Sequence, residues 1–507
     1  MGLPISLLPG AACAPRARAI GGSYPRIVLL CGVAAALLAV TKCVKAQVGS
    51  VTLSSPQVSV PQLRASGKHF LDPSDRAILL RGVSLSGDAK VPPFLLNLTA
   101  RDVDHLADLG VNVIRLLFIW EAYEPSRNGY DERYLTALIE TARLAWTRGI
   151  YTVVDIHQDG FSRHASRGAG DGFPLWAISR RARARIPDNS PRSKNWALMM
   201  ATDRTTYRSF ADFFADVDGV RTQYLAMLSR ASSRFVNIPG VVGYDLMNEP
   251  WGDEPTELYP LYRDATAAIR ARHPSAIVFL EGHVTTNCGL QSALPRPEFT
   301  NTVYAPHYYK PSAVVLKRWH GNRLAMDRAF GLMTSKAEAW NTPLFLGEFG
   351  LDANAYRSGE YVSAIYEHLD AHLASGAQWN FTPGWTLENK DGWNGEDFNI
   401  IEPDGRLRPN YRPRPFPRAT AGNPLTFEFR RAISPTLVFS WDHDPSRGVT
   451  ELFLPHDLFP REGTAIQASS DLGLDWDDAR QLLLVRSDTP RRVVLKLTGP
   501  ATSSTRR

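Results

Sequence analysis

Eight short apolar runs recur along the chain: Ile78–Leu85, Val111–Phe118, Ile150–Asp155, Val241–Met247, Ile277–Glu281, Thr302–His307, Pro343–Glu348 and Gln378–Thr382. Runs this short and this apolar suit strands covered on both faces. Amphipathic stretches separate them. In one, Leu135, Leu138, Ile139, Ala142 and Ala145 recur at helical spacing, and Gly149 ends the stretch just before the third run. Strands that alternate with helices build a parallel sheet, and eight of them can close on themselves. The expected fold class is therefore α/β, a (β/α)8 TIM barrel over residues 66–408.

Beyond residue 408 the pattern changes. Pro409, Pro413, Pro415 and Pro417, interleaved with Arg412, Arg414 and Arg418, interrupt any helix, so residues 409–424 read as a linker. Leu425–Phe429, Leu437–Trp441, Glu451–Leu454, Leu482–Val485 and Val493–Leu497 then follow as short strands, which predicts a small β-sandwich over 425–500 and a tail over 501–507. With no acidic pair or histidine cluster of its own, the sandwich reads as a support for the barrel.

At the other end, arginines precede the apolar run Ile27–Val40, which leads to Val44, Lys45 and Ala46. This is the layout of a signal peptide over residues 1–46, or of a signal anchor if Thr41, Cys43 and Val44 lengthen the run. Either predicts entry into the secretory pathway, with the protein secreted or membrane-tethered. A Ser-, Val- and Pro-rich linker, 47–65, follows. The leader holds five of the 57 basic residues and no acid, so 52 basic residues face 51 acidic ones elsewhere. A nearly neutral body lacks the dense basic face that nucleic acid requires. Three of the four cysteines also lie in the leader, which leaves Cys288 alone and excludes a disulfide within the body. Asn97–Thr99 and Asn380–Thr382 are glycosylation sequons, the second inside an expected strand and so buried. Nothing in the sequence specifies an oligomeric state.

Two of the apolar runs end on carboxylates. Asn248, Glu249 and Pro250 follow the fourth run, and Glu348 closes the seventh. A lone glutamate at a strand end reads as a salt-bridge partner. Two of them on different strands of one barrel can face a single pocket, which is the arrangement a retaining glycosidase uses. Glu348 is the expected nucleophile. Glu249 is the expected acid/base, its pKa raised by the neighbouring charge until a covalent intermediate removes that charge. Asn248 can offer its amide to the sugar 2-hydroxyl, the alternative being a strand-end cap. Arg115 and Tyr309 are candidates to orient Glu348, and Trp379 to form a platform under the sugar, although aromatic residues also fill barrel cores. Asp155, His157, Asp159 and His164 can also be read as metal ligands. Retaining glycoside hydrolysis needs no metal, so neither metal nor cofactor is expected.

These motifs resemble glycoside hydrolase family five. The resemblance rests on Arg81–Val83, Asn112–Arg115, Asp155–Asp159 (DIHQD), Asn248–Pro250, His307, Tyr309 and Glu348, in order over residues 66–408. DIHQDGFSR, YAPHYY and the trailing TELFLP are most similar to endoglycoceramidases, which detach the glycan of a glycosphingolipid from ceramide. The resemblance implies that His157, Asp159 and His307 bind sugar hydroxyls and that a glycolipid, presented at a membrane surface, is the partner. Trp393–Asp397 (WNGED) is instead similar to enzymes that cleave glucosylceramide and steryl glucosides, so endo and exo action both stay open, as does a β-glucanase. A non-catalytic glycolipid-binding barrel is the alternative of another class. The segment between the third and fourth runs is far longer than an ordinary βα loop. Within it, Phe173, Pro174, Leu175 and Trp176 suit either a lipid or the barrel wall. Arg180, Arg181, Arg183 and Arg185 suit either anionic groups or solvent.

Overall fold

The computed structural model of the chain describes residues 62–166, 170–182, 202–393, 395–469 and 471–501. The leader, residues 47–61 of the linker, Arg183, Arg185 and residues 502–507 lie outside them. No helix among the described residues is long and apolar enough to cross a membrane.

Eight parallel strands form the barrel: β1 (Arg81–Leu85), β2 (Val113–Ile119), β3 (Tyr151–His157), β4 (Val241–Asp245), β5 (Ile277–Leu280), β6 (Thr302–Tyr304), β7 (Phe345–Leu346) and β8 (Ser375–Phe381). Their spatial order is β7-β8-β1-β2-β3-β4-β5-β6. Parallel bridges Tyr304↔Leu344 and Tyr308↔Phe349 close β6 onto β7. All eight apolar runs contribute a barrel strand. The stripe Leu135, Leu138, Ile139, Ala142 and Ala145 is buried on the helix Glu132–Trp146, whose N-cap Asp131 accepts from Arg133 N and Tyr134 N. Gly149 follows at φ +67°, a left-handed conformation that glycine adopts freely.

Alternation sends every second residue of a strand inward and so sorts the interior into layers. The lowest layer is apolar, with Val113, Val153, Ile277, Phe279, Val303 and Phe345 in one cluster with Phe70 and Leu63. Phe70 stacks on Phe279 at 6.1 Å and meets Phe345 edge-on at 6.5 Å, so it stops the N-terminal mouth of the barrel. Phe70→Ala would leave a cavity there. Stability should fall by about 3–5 kcal/mol in denaturant unfolding, while turnover well below the melting temperature should persist, because the plug is at the end opposite the glutamates.

Phe70 belongs to a part of the fold that differs from expectation. Arg64–Ser66, His69–Leu71 and Ala77–Ile78 are strands, so the expected linker 47–65 gives way to ordered chain before its end. Nor are residues 409–424 a bare linker. They contain β9 (Phe416–Thr420) and the start of β10 (Gly422–Arg430). Pro417 is tolerated in β9 because the register with β12 (Thr450–Phe453) shifts beside it, where a missing N–H breaks no regular ladder. Ala419 and Thr420 pair with Ile78 and Ala77.

The N-terminal strands thereby join β9, β12, β15 (Leu482–Arg486) and β14 (Gly473–Asp477) in one seven-stranded sheet. The facing sheet has the order β10-β11-β16-β13, with β11 Thr436–His443, β13 Ala465–Ala468 and β16 Arg491–Thr498. Between the two sheets lie Phe439, Trp441, Phe453, Leu483 and Leu495, joined by Leu79 from the approach to β1.

The long segment after β3 folds onto the barrel wall. Phe173 stacks on Phe161 at 4.0 Å and on Tyr224 at 5.7 Å, and Trp176 meets Trp120 edge-on and donates from Nε1 to Glu124 O at 2.9 Å. Of the two readings of Phe173–Trp176, the structure thus shows wall packing for Phe173 and Trp176, while Leu175 stays exposed. Arg181 pairs with Asp212. Asn97 is exposed, whereas Asn380 is buried and donates to Asp391 Oδ2 at 3.2 Å.

Candidate active site

The polar residues gather at the C-terminal end of the barrel, above the apolar layer. β2 supplies Arg115, β3 Asp155 and His157, β4 Asp245 and β8 Trp379. Asn248, Glu249, Glu281, His307 and Glu348 come from the turns leaving β4 to β7. Glu249 has φ +41°, an uncommon conformation for a residue with a side chain, and costs of order 1 kcal/mol or more. It is held there on two sides. Gln158 Nε2 donates to the carbonyls of Asn248 (2.6 Å) and Glu249 (3.1 Å), and Glu249 N donates to Glu281 Oε2 (2.9 Å).

Arg115 is the electrostatic hub. Fully buried, it lies 2.7 Å from Glu348 Oε1, 2.9 Å from Asp155, 3.0 Å from Asp245 and 3.2 Å from Glu281, and donates to Asn248 Oδ1 at 2.8 Å. Burial alone would lower its pKa, but these carboxylates hold it well above the ordinary arginine value. Burial, reinforced by Glu281, conversely pushes the Asp245 carboxyl far up against the pull of Arg115.

Glu348 accepts from two donors, Arg115 Nη1 on one oxygen and Tyr309 OH on the other at 3.0 Å. Glu249 has one close partner, His307 Nδ1 at 3.0 Å, which also lies 3.6 Å from Glu348 Oε2. His307 Nε2 is 3.1 Å from Glu281 Oε1; burial opposes the imidazolium, but Glu281, Glu348 and Glu249 together raise its pKa well above the usual value. Glu249 and Glu348 bring carboxylate oxygens within 4.8 Å of each other. Oxygens that close favour the about 5 to 5.5 Å carboxyl separation of double displacement over the about 6.5 to 9.5 Å of an inverting pair.

Burial raises the Glu249 carboxyl to about 7. The charges of Glu348 and Asp159 push the same way, and His307 pulls against them. A group that must donate a proton then loses its function above neutrality. The kcat/KM profile for a glycoside with a poor leaving group should fall on an alkaline limb near pH 7. Glu249→Gln should remove that limb; a wild-type profile flat to high pH would contradict the assignment.

A second polar cluster stands beside the pair. His157 Nδ1 lies 2.7 Å from Asp155 Oδ2, and its ring stacks on Trp379 at 5.8 Å and 5°. Burial opposes its charge, but Asp155 and Asp159 hold its pKa at about 10. Lys90, on the loop after β1, binds Asp159, lies 3.7 Å from Asp171 and sits 3.5 Å from the centre of the Trp393 ring. Burial would raise Asp159, yet Lys90 and His157 bring it down to about 2.

Both glutamates open into one cavity of about 320 Å³. A larger groove of about 530 Å³ lies beside the loop after β8 but contains neither carboxyl. Of the expected sugar contacts, Asp159, Tyr309 and Trp379 line the cavity, while His157, Asn248 and His307 sit behind the lining. Asn248 uses Oδ1 for Arg115 and one amide hydrogen for Gln158 O at 3.0 Å, which leaves its other amide hydrogen available. One side of the cavity is polar and aromatic, with Lys90, Trp379, Trp393 and Glu396. The other is largely apolar, with Trp251, Val284, Cys288, Pro311, Val314 and Val315.

Among the described residues, four groups of acids and histidines are close enough to share a metal: Asp155, His157 and Glu348; His157, Asp159 and Asp171; Asp245, Glu281 and His307; and Glu249, His307 and Glu348. The carboxylates of all four already hold Arg115, Lys90 or His307. His164 lies elsewhere, 3.0 Å from Glu121.

Sequence reading did not single out Lys90, Gln158, Asp245, Glu281 or Trp251. Asp245 and Glu281 carried a signal, an acid within or at the exit of an apolar run, which is the same signal that marks Glu249. Lys90 carried none, since a lysine on a loop is normally solvated.

An eight-stranded barrel with two close carboxyl groups at its C-terminal mouth is the frame of the barrel glycosidases. This chain belongs to glycosyl hydrolase family 5. The family's cellulase model matches residues 71–384, and the model of the family 5 C-terminal domain matches 414–497. It is an O-glycosyl hydrolase. Endoglycoceramidase I of Rhodococcus hoagii (strain 103S) is 28% identical over 475 residues, covering 88% of this chain and 90% of that protein. A glucosylceramidase of Aspergillus fumigatus is 33% identical over 146 residues, 24% of this chain and 19% of its own. The solved endo-glycoceramidase II from Rhodococcus sp. in its ganglioside GM3 complex superposes with a TM-score of 0.72 at 25% identity, covering 86% of this chain and 100% of the other.

Proposed function

We propose that the chain is a retaining β-glycosidase that hydrolyses the β-glucosyl bond between glycan and ceramide in glycosphingolipids. The observation that carries this reading is the unequal carboxyl pair: Glu348 clamped by Arg115 and Tyr309, and Glu249 with a pKa of about 7 within 4.8 Å of it.

In the first step the Glu348 carboxylate attacks the anomeric carbon. The bond to the aglycone oxygen breaks, and that oxygen takes the Glu249 proton. Glu348 is now an ester and its negative charge is gone, so the Glu249 pKa falls and Glu249 becomes the base. It removes a proton from water, whose oxygen attacks the same carbon and frees Glu348 with the configuration retained. Trp379 serves the apolar face of the ring and Asp159 with Lys90 the hydroxyls at the lining, while Asn248, set behind it, keeps one amide hydrogen for a 2-hydroxyl that reaches past Glu249. The apolar wall from Trp251 to Val315 suits the lipid, in place of the segment Phe173–Trp176. The likeness to an endoglycoceramidase over most of both chains supports this substrate class, and the leader supports delivery through the secretory pathway, as a secreted or tethered protein.

One observation favours a second reading. Trp393 and Lys90 are both buried and close the polar end of the cavity, which suits a single sugar and hence exo action on glucosylceramide or a steryl glucoside. Incubation with lactosylceramide, glucosylceramide, a steryl glucoside and a soluble β-glucan separates the two. Intact lactose from the first supports endo action. Glucose from the second or third alone replaces it with the exo reading, and binding without turnover of any would point to a non-catalytic barrel.

A further inference from the structure

We propose that the arc of loops leaving β5, β6 and β7 docks onto a lipid bilayer that contains anionic lipid, setting the apolar side of the cavity against the membrane surface. The proposal rests on the glycolipid reading for its purpose, but its observations are independent of it. Leu290 follows β5, Val315, Leu316 and Leu324 follow β6, and Tyr356 follows β7. They are exposed by 59%, 75%, 53%, 77% and 60%. The same end of the barrel also exposes Leu387 after β8 and Leu175 after β3, but singly, and among the described residues the turns at the opposite end expose no large apolar side chain. Exposed apolar groups scattered singly need no explanation, whereas a set gathered at one rim does.

The arc is built as one surface. Tyr309 N donates to Asn287 O at 2.8 Å, tying the β6 loop to the β5 loop. Trp319 N donates to Tyr356 O and Tyr356 N to Lys317 O, both at 3.0 Å, tying it to the β7 loop. It is also continuous with the cavity, because Val315 stands both on the rim and in the lining, next to Val314 and Pro311. An apolar path therefore runs from beside Glu249 to the outer surface.

Charge selects the occupant. From His307 to Met326 there is no acidic residue, while Lys310, Lys317, Arg318 and Arg323 interrupt the apolar positions. Lys317 reaches Asp352 at 2.6 Å, Arg323 pairs with Glu367, and Lys310 donates to Asn322 O at 2.8 Å; Arg318 is exposed and makes no ion pair among the described residues. Apolar side chains interspersed with cations suit the boundary between acyl chains and anionic headgroups. Asn97, the exposed sequon asparagine, follows β1, which faces β5 across an eight-stranded barrel, so a glycan there would stand clear of the arc.

The test uses the full chain with its four native cysteines replaced by serine and an environment-sensitive fluorophore on a single cysteine at Leu324→Cys, compared with one at Ile433→Cys on the sandwich. Vesicles of phosphatidylcholine with phosphatidylserine should blue-shift the first and leave the second unchanged. In parallel, L316D/L324D should keep turnover of a soluble aryl β-glucoside within about twofold. It should lose about tenfold or more on glycolipid in those vesicles and recover when the same glycolipid is supplied in detergent micelles. No shift at position 324, an equal shift at 433, a shift that appears without vesicles and grows with protein concentration, or an undiminished vesicle rate would each overturn the proposal. Wild-type failure on glycolipid in micelles would instead overturn the substrate reading, and the fluorophore would still report docking.

Discussion

Replacing Glu348 by glutamine is expected to lower kcat/KM for an aryl β-glucoside by at least about 10⁴-fold, equivalent to about 5.4 kcal/mol of transition-state stabilisation. The amide keeps the shape of the side chain, and its carbonyl oxygen can still accept from Arg115 while its NH2 donates to a reoriented Tyr309 hydroxyl, but it cannot form the glycosyl ester. Ligand binding should persist. The leaving group separates this effect from loss of Glu249. A dinitrophenolate departs without a proton, so Glu249→Gln should spare the first step with that substrate, whereas Glu348→Gln should fail equally with every leaving group. Unchanged turnover in Glu348→Gln would remove the assignment.

Arg115→Met should have the largest effect on stability. Asp155, Asp245, Glu281 and Glu348 all lean on this one buried guanidinium, and removing one partner of a buried pair costs about 3–5 kcal/mol. The orphaned acids would answer by protonation, as Asp245 already tends to do with Arg115 present. Their folded-state pKa values would then lie above the unfolded ones, so the folded state would bind more protons and stability would be lost as pH rises through that window. Urea unfolding should therefore show a deficit larger at pH 8 than at pH 5. Arg115→Lys should recover part of it by restoring a charge without the planar fork. A deficit independent of pH would mean that the hub holds the fold by packing rather than by charge.

The barrel was readable because a strand covered on both faces is mostly apolar, and the runs depart from that chiefly where a side chain enters the polar interior, as at Arg115, Asp155 and Glu281; the eighth, Gln378–Thr382, is the most polar. Their edges were harder to read. The run Ile78–Leu85 is divided in the structure, Ala77–Ile78 pairing in the sandwich sheet and Arg81–Leu85 in the barrel, because the chain crosses between sheets at Leu79 and Leu80. The N-terminal strands went unseen for a related reason: two or three residues carry too little periodicity to read, and although Arg64–Ser66 and His69–Leu71 pair with each other, the sheet they extend is reached only through Ala77–Ile78 and its distant partner β9.

Within the site, residues with a fixed place on a strand were legible and residues brought in by loops were not. Glu249 and Glu348 stood at strand exits. Lys90 reaches the cavity from a loop, and only the proximity of Asp159, Asp171 and Trp393 makes a use for it. The apolar side of the cavity shows the same limit. Phe173 and Trp176 look more lipid-like than Val284, Cys288 or Val315, yet aromatic partners take them into the wall, and the cavity is lined by Trp251 and by smaller residues from the loops after β5 and β6.

The central claim is a covalent intermediate on Glu348. A 2-deoxy-2-fluoro-β-glucoside with a dinitrophenolate leaving group slows both steps but allows the first, so the intermediate should accumulate and be found by peptide mass mapping. The account predicts one fluoroglucosyl adduct per chain, on the peptide that contains Glu348, in wild type but not in Glu348→Gln. An adduct on any other residue, or an enzyme that turns over the parent glycoside with inversion and never carries the label, would contradict it.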